Sequence, residues 1–327
     1  MNNAIAVLIV GAYAGSVHAL GWDDDWEAAA RAAARDTAVP ARVARVDKGH
    51  VLVLTASGTE QVKLGGELVD VATGDWVLIE NGALAAVLPR RSAFVRGDSI
   101  EGRARKRQVV AANIDVVFVV QSLTNGPKLR RLERELVLAY ASGATPVVVL
   151  NKADLVGAEQ IADACERARA AAPDLDVLVT SAITGEGLEA LRARARGGQT
   201  IALIGASGVG KSTLVNVLIG SERQATGDVR AHDQRGRHTT TARELVPMPG
   251  GGLVVDTPGL RAVSLWDADV GLSRVFADIE TLATRCKFTN CSHNTEPGCA
   301  VQAAIAGGTL DAARFEHYKR LDAELDE

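Results

Sequence analysis

Gly205-Ala206-Ser207-Gly208-Val209-Gly210-Lys211-Ser212, continued by Thr213, fits the pattern G-x-x-x-x-G-K-[ST]. The apolar run TIALI (residues 200–204) precedes it and STLVNVLI (residues 212–219) follows, so the stretch reads as strand, glycine-rich turn and helix. In that setting the glycines let backbone N–H groups close around phosphate oxygens at a helix N-terminus. Lys211 brings a cation to the β- and γ-phosphates, and the Ser212 hydroxyl is a ligand for Mg²⁺. A nucleotide-binding α/β domain with a mainly parallel, doubly wound sheet is therefore expected.

Upstream of the loop the same alternation continues. Residues 109–122 (VVAANIDVVFVVQS) predict a buried strand, 128–142 a helix, 144–155 (ATPVVVLNKADL) another apolar strand, 161–172 a helix, 177–180 a strand and 188–195 a helix. Asn151-Lys152-Ala153-Asp154 closes one of these strands. The Asp154 carboxylate can accept two hydrogen bonds from the N1 and exocyclic amine of guanine, whereas adenine would set an acceptor against an acceptor. Ser181-Ala182 ends the next strand and adds a second base-contacting loop. Downstream, Asp256-Thr257-Pro258-Gly259 follows the strand 252–255: Asp256 approaches Mg²⁺ through water and the Gly259 amide senses the γ-phosphate. Within Gly236-Arg237-His238-Thr239-Thr240-Thr241, Thr240 is the preferred hydroxyl to complete the metal shell. The order is unusual, because the base-reading segments precede the phosphate loop instead of following it. Spatial neighbours in a sheet need not be neighbours in sequence, so the arrangement reads as a circularly permuted GTPase.

The flanks differ in character. Residues 38–92 carry five short β-prone runs separated by tight turns, which predicts a small β-barrel of the OB-fold type. Residues 23–35 predict a short helix, acidic at its start and basic at its end. The apolar residues 4–14 are too short to span a bilayer and lack a basic leader, which with the cysteine usage points to the cytoplasm. The chain has 327 residues, 47% hydrophobic and 23% charged, with a net charge of −4, so nucleic-acid contact requires a local basic patch. Arg103, Arg105, Lys106 and Arg107 form such a cluster, while Trp76 and Phe94 are the only aromatic side chains between residues 38 and 112, so phosphate contact is favoured over base stacking. Of four cysteines, Cys286, Cys291 and Cys299 join His293 in C-x₄-C-x-H-x₅-C, a donor set suited to one tetrahedral structural zinc ion. Cys165, on a predicted helix, is expected in the core.

Together the barrel, the order NKAD, SA, GASGVGKST, GRHTTT, DTPG and the Cys₃His tail resemble the ribosome small-subunit-dependent GTPase A family, RsgA or YjeQ, over about residues 38–320. The resemblance implies slow intrinsic GTP hydrolysis to GDP and phosphate, faster on the 30S subunit, a role late in 30S maturation, and release of other assembly factors. It further implies contact with 16S rRNA, guanine reading by Asn151, Lys152 and Asp154, phosphate binding by residues 205–213, and zinc ligation by Cys286, Cys291, His293 and Cys299. A monomer without membrane contact is expected, divided into an N-terminal extension (1–37), an OB barrel (38–105), a permuted GTPase domain (106–272) and a helical zinc-binding domain (273–327). Leu260 stands where many GTPases carry a water-orienting glutamine; His238, or a group supplied by the ribosome, takes that role in its place. Two rival readings are a P-loop kinase or transferase, which NKAD and SA oppose, and a non-catalytic RNA-binding nucleotide switch, which measurable turnover would dismiss.

Overall fold

The five β-prone runs form β1 (Val39–Asp47), β2 (His50–Thr55), β3 (Gly58–Lys63), β4 (Trp76–Glu80) and β5 (Ala83–Val87). They close in the order β1-β2-β3-β5-β4, the expected OB-type barrel. Alternate residues point inward, with Ala41, Val43, Val51, Val53, Val62, Val77 and Leu84 filling the interior. The computed structural model describes residues 16–33, 37–64, 70–98, 106–220, 243–256 and 268–325. The barrel was expected to be preceded by a separate extension. Instead, Leu20, Trp22 and Trp26 are buried in the main core. The short helix α1 (Asp24–Ala32) is capped by Asp23, whose carboxylate accepts from the Trp26 N–H. Arg91 pairs with Asp23 and lies over the Trp26 ring at 4.3 Å, and Trp22 meets Trp76 edge-on at 4.8 Å. Tryptophan is too costly to leave in water, which is why this segment belongs to the packed structure.

Two more corrections concern strands. Residues 109–122 do not form one strand: the chain turns at Asn113, which has φ +54. Before the turn β6 (Ala93–Asp98) pairs antiparallel with β7 (Lys106–Ala112), a ribbon that crosses the expected boundary at residue 105. After it, β8 (Val116–Ser122) enters the large sheet. That sheet continues with α2 (Leu129–Ala141), β9 (Thr145–Asn151), α3 (Ala158–Ala171), β10 (Val177–Thr180), α4 (Leu188–Ala193), β11 (Thr200–Gly205), α5 (Lys211–Ile219), β12 (Glu244–Pro247) and β13 (Leu253–Asp256). The strand order is β10-β9-β8-β11-β13-β12, parallel except for β12. β12 escaped the sequence reading because four residues at an edge carry almost no periodic signal.

Every central strand is apolar on both faces because helices cover both. Val117, Val119, Val148 and Leu150 pack with α2 and α3, whereas Phe118, Val120, Val147 and Val149 pack with α4 and α5. The tail folds as α6 (Asp269–Val275), α7 (Ala277–Ala283), α8 (Ala300–Ala306) and α9 (Ala312–Leu325), so the expected boundary at residue 272 lies inside α6. α6 lies so close to α2 that a Cβ at Gly271 would meet the Val137 carbonyl oxygen at 2.2 Å. Glu133 of α2, 5% exposed, receives both Arg314 and His317 of α9, which ties the tail to the sheet domain. Among the described residues no helix is long and apolar enough to cross a membrane.

Candidate nucleotide site and Cys₃His cluster

β11 delivers the glycine-rich loop to the carboxyl edge of the sheet, where it turns into α5. Gly205 has φ +145, and a Cβ there would meet the Val120 carbonyl oxygen at 2.4 Å, so the strand next door demands glycine. Gly210 has φ +98 and would clash with Asn151 Nδ2 at 2.3 Å. That second contact joins two motifs. Asn151, buried at the end of β9, donates from Nδ2 to the Val209 carbonyl at 2.9 Å and accepts at Oδ1 from Thr180 at 3.2 Å. Its side chain thus binds the glycine-rich loop to the ends of β9 and β10. Lys211 Nζ donates to the carbonyls of Gly205 (2.8 Å) and Ala206 (2.6 Å), which holds the ammonium over the loop. Ser207 and Gly208 at the tip are exposed, while Val209 is buried and anchors the loop; Ser212 and Thr213 are partly exposed in the first turn of α5.

Lys152 takes the left-handed conformation at φ +71, which turns the chain off β9 into a short 3₁₀ turn carrying Asp154. Ser181 Oγ donates to Asp154 Oδ1 at 2.6 Å and accepts from the amides of Ile183 (3.2 Å) and Thr184 (3.1 Å). The serine therefore fixes both the carboxylate and its own loop, in which Ala182 is half-buried. A carboxylate has room for about four acceptor contacts, so Asp154 keeps capacity for a base edge. Asp256 ends β13, whose Val255 pairs with Ala202 of β11, placing it beside the phosphate loop. Gly259, Leu260, His238 and Thr240 lie outside the described residues, as do Arg103 and Arg105; Lys106 and Arg107 begin β7, and Arg107 is exposed.

In the tail, the donor atoms of Cys286, Cys291, His293 and Cys299 all lie within 4.8 Å of one another. His293 Nδ1 is 3.5 Å from the sulfurs of both Cys286 and Cys299, and those sulfurs are 3.9 Å apart. Tetrahedral zinc with ordinary Zn–S and Zn–N bonds requires about 3.5 Å between N and S and about 3.8 Å between sulfurs, so the donors fit such an ion. Backbone amides hold two of the sulfurs in place: the Ala300 amide donates to Cys286 Sγ at 3.3 Å and the Gln302 amide to Cys299 Sγ at 3.4 Å. Glu296 accepts from the amides of Ser292, Asn294 and Thr295 and so shapes the loop between Cys291 and Cys299. The Ser292 hydroxyl, which also donates to this carboxylate, and then the amides of Ser292 and Asn294 hold its carboxyl well down, to about 2. Cys165 is buried on α3, as expected.

Sequence reading missed the group that joins the segments. Arg42 of β1, 2% exposed, donates to the carbonyls of Gly74, Leu20 and Asn113 and to Thr200 Oγ1. It thereby links the barrel, the N-terminal segment and the sheet domain at the foot of the phosphate-loop strand. Burial pulls its guanidinium down to about 10. An arginine inside an otherwise alternating strand carries no mark of burial in sequence.

A barrel followed by a sheet whose phosphate-loop strand comes after its base-reading strands, with a Cys₃His tail, defines a circularly permuted GTPase. The model of the RsgA GTPase family matches residues 87–266. A small ribosomal subunit biogenesis GTPase RsgA of Streptomyces coelicolor is 46% identical over 314 residues, covering 93% of this chain and 85% of that protein. The Vibrio parahaemolyticus protein named small ribosomal subunit biogenesis GTPase RsgA 2 is 39% identical over 92% of this chain and 84% of its own length. The crystal structure of YjeQ from Thermotoga maritima superposes with a TM-score of 0.66 at 25% identity, covering 88% of this chain and 98% of that one. This chain belongs to the RsgA family of GTPases. A further relative, from Streptomyces avermitilis, matches 95% of the chain, so the likeness reaches into the first 37 residues and not only from residue 38 onward.

Proposed function

We propose that the chain hydrolyses GTP in a Mg²⁺-dependent reaction stimulated by the small ribosomal subunit, and that it acts late in the maturation of that subunit. The observation that carries this is the hydrogen bond from Asn151 to Val209, which makes one site of two motifs transposed in the chain. The names of its relatives supply the ribosomal context. Asp154, with the Ser181-Ala182 loop, would read guanine; residues 205–213 would hold the phosphates. Ser212 and Thr240 would bind Mg²⁺, with Asp256 acting through water and the Gly259 amide sensing the γ-phosphate. The metal supplies neutralisation of charge on the phosphoryl oxygens. His238 orients the attacking water, and binding energy from the ribosome is spent on placing that water, which accounts for slow turnover by the protein alone.

In this reading the barrel and the basic residues 103–107 meet 16S rRNA phosphates, the sheet domain hydrolyses GTP, and the tail holds one structural zinc through Cys286, Cys291, His293 and Cys299. The protein works as a cytoplasmic monomer. Phosphate release from GTP and ATP, with and without purified 30S subunits, tests the proposal. Turnover of GTP that rises well above background only with 30S supports it. Equal use of GTP and ATP, unchanged by 30S, would return the phosphate loop to a kinase or transferase.

A further inference from the structure

Glu135 is placed by α2 at the carboxyl edge of the sheet. Its Oε2 accepts from Gln121 Nε2 at 2.7 Å, and Gln121 is itself only 3% exposed. Gln121 follows Val120, which pairs with Gly205 in β11, and on its other side pairs with Leu150, the residue before Asn151. The glutamine thus stands between the start of the phosphate loop and the start of the base-reading loop, and holds a carboxylate there. The cations whose field reaches that carboxylate are Arg131, one turn earlier on α2, and Lys211, which opens α5. Burial outweighs both cations and pushes the carboxyl up to about 7. Packing gives no reason for an acid at this position, because an amide of the same shape would keep the Gln121 contact without burying charge.

We propose that Glu135 is a positioning residue of the phosphate site, setting a negative charge opposite Lys211 that lowers the preference for triphosphate over diphosphate. This rests on Lys211 serving the phosphates. A γ-phosphate recruits the lysine and brings further negative charge to it, so an ionised Glu135 opposes GTP more than GDP. A protonated Glu135 opposes neither. Triphosphate binding therefore takes up a proton, and its affinity falls as pH rises through neutrality, with a smaller fall for GDP.

Calorimetric titration of the full chain with GDP and with a non-hydrolysable GTP analogue, with Mg²⁺, between pH 6 and 8.5 tests this. The wild type is expected to lose about three- to tenfold of its analogue affinity across that range. Glu135→Gln is expected to bind the analogue at pH 8.5 nearly as the wild type does at pH 6, and to take up fewer protons, as read from buffers of different ionisation enthalpy. Glu135→Asp, which keeps the acid, retains the sign of the slope. A wild-type pH slope in Glu135→Gln overturns the proposal. So does analogue binding by the wild type without proton uptake, a measurement that needs no variant. Failure of the wild type to bind GDP at any pH would strike the nucleotide site itself.

Discussion

At the scale of single residues, one buried and one half-buried charge shape this molecule in opposite ways. Arg42 spreads its donors over four acceptors in separate segments. Lysine offers three donors at one point and cannot span them. Arg42→Lys is therefore expected to destabilise by about 2–4 kcal/mol, read from the urea midpoint at constant slope. A midpoint equal to wild type would mean the barrel and the sheet domain are joined by something else. Glu135 works the other way. Its folded carboxyl lies near 7 against an ordinary value of 4.5, so the folded chain holds a proton that the unfolded chain gives up, and stability falls as pH rises between those values. Glu135→Gln should consequently gain about 1–3 kcal/mol over wild type at pH 8 and nearly nothing at pH 4.5. Equal gains at both pH values would show that the side chain's ionisation does not matter to the fold.

At the scale of elements, legibility followed the length and periodicity of each segment. The barrel strands alternate and the sheet strands are apolar throughout, so both patterns point to their partners before any coordinates are known. β12 and the β6–β7 ribbon were hidden: the first is too short, and the ribbon's second strand runs into β8 with only Asn113 and Asp115 as polar breaks. Glu133 left a signal that could have been read, since it falls with Leu129, Leu132 and Leu136 on the apolar stripe of α2 and so needed buried partners, which Arg314 and His317 of α9 provide. The Cys₃His segment was legible because its chemistry lies in the spacing itself. Chelation, or Cys291→Ser, is expected to release one zinc per chain and lower the thermal midpoint by roughly 5–10 °C, with new proteolytic cuts between residues 284 and 299. Protein purified under reducing conditions that carries no zinc would refute the assignment.

At the scale of the whole molecule, the glycine-rich loop and the NKAD and Ser181-Ala182 loops share one edge although the chain visits them in transposed order. The parallel sheet makes this workable: β8, β9, β10, β11 and β13 all end at that edge, so the order of connection matters less than the register of the strands. Asn151 couples the two halves, and Ser181 holds Asp154 beside them. The N-terminal tryptophans and Arg42 bring the barrel to the opposite end of the phosphate-loop strand, at Thr200. The barrel therefore contacts the strand that leads into the glycine loop. The most direct test of the composite site exchanges the base. Asp154→Asn replaces an acceptor pair with an amide, which should weaken GTP by about 3 kcal/mol, on the order of a hundredfold, and admit xanthosine triphosphate, whose C2 carbonyl accepts from that amide. Binding of GTP and xanthosine triphosphate to wild type and variant, measured side by side, decides it. A reversal of preference is the predicted result; a variant that binds both nucleotides as the wild type does would contradict the assignment of this edge as the guanine site.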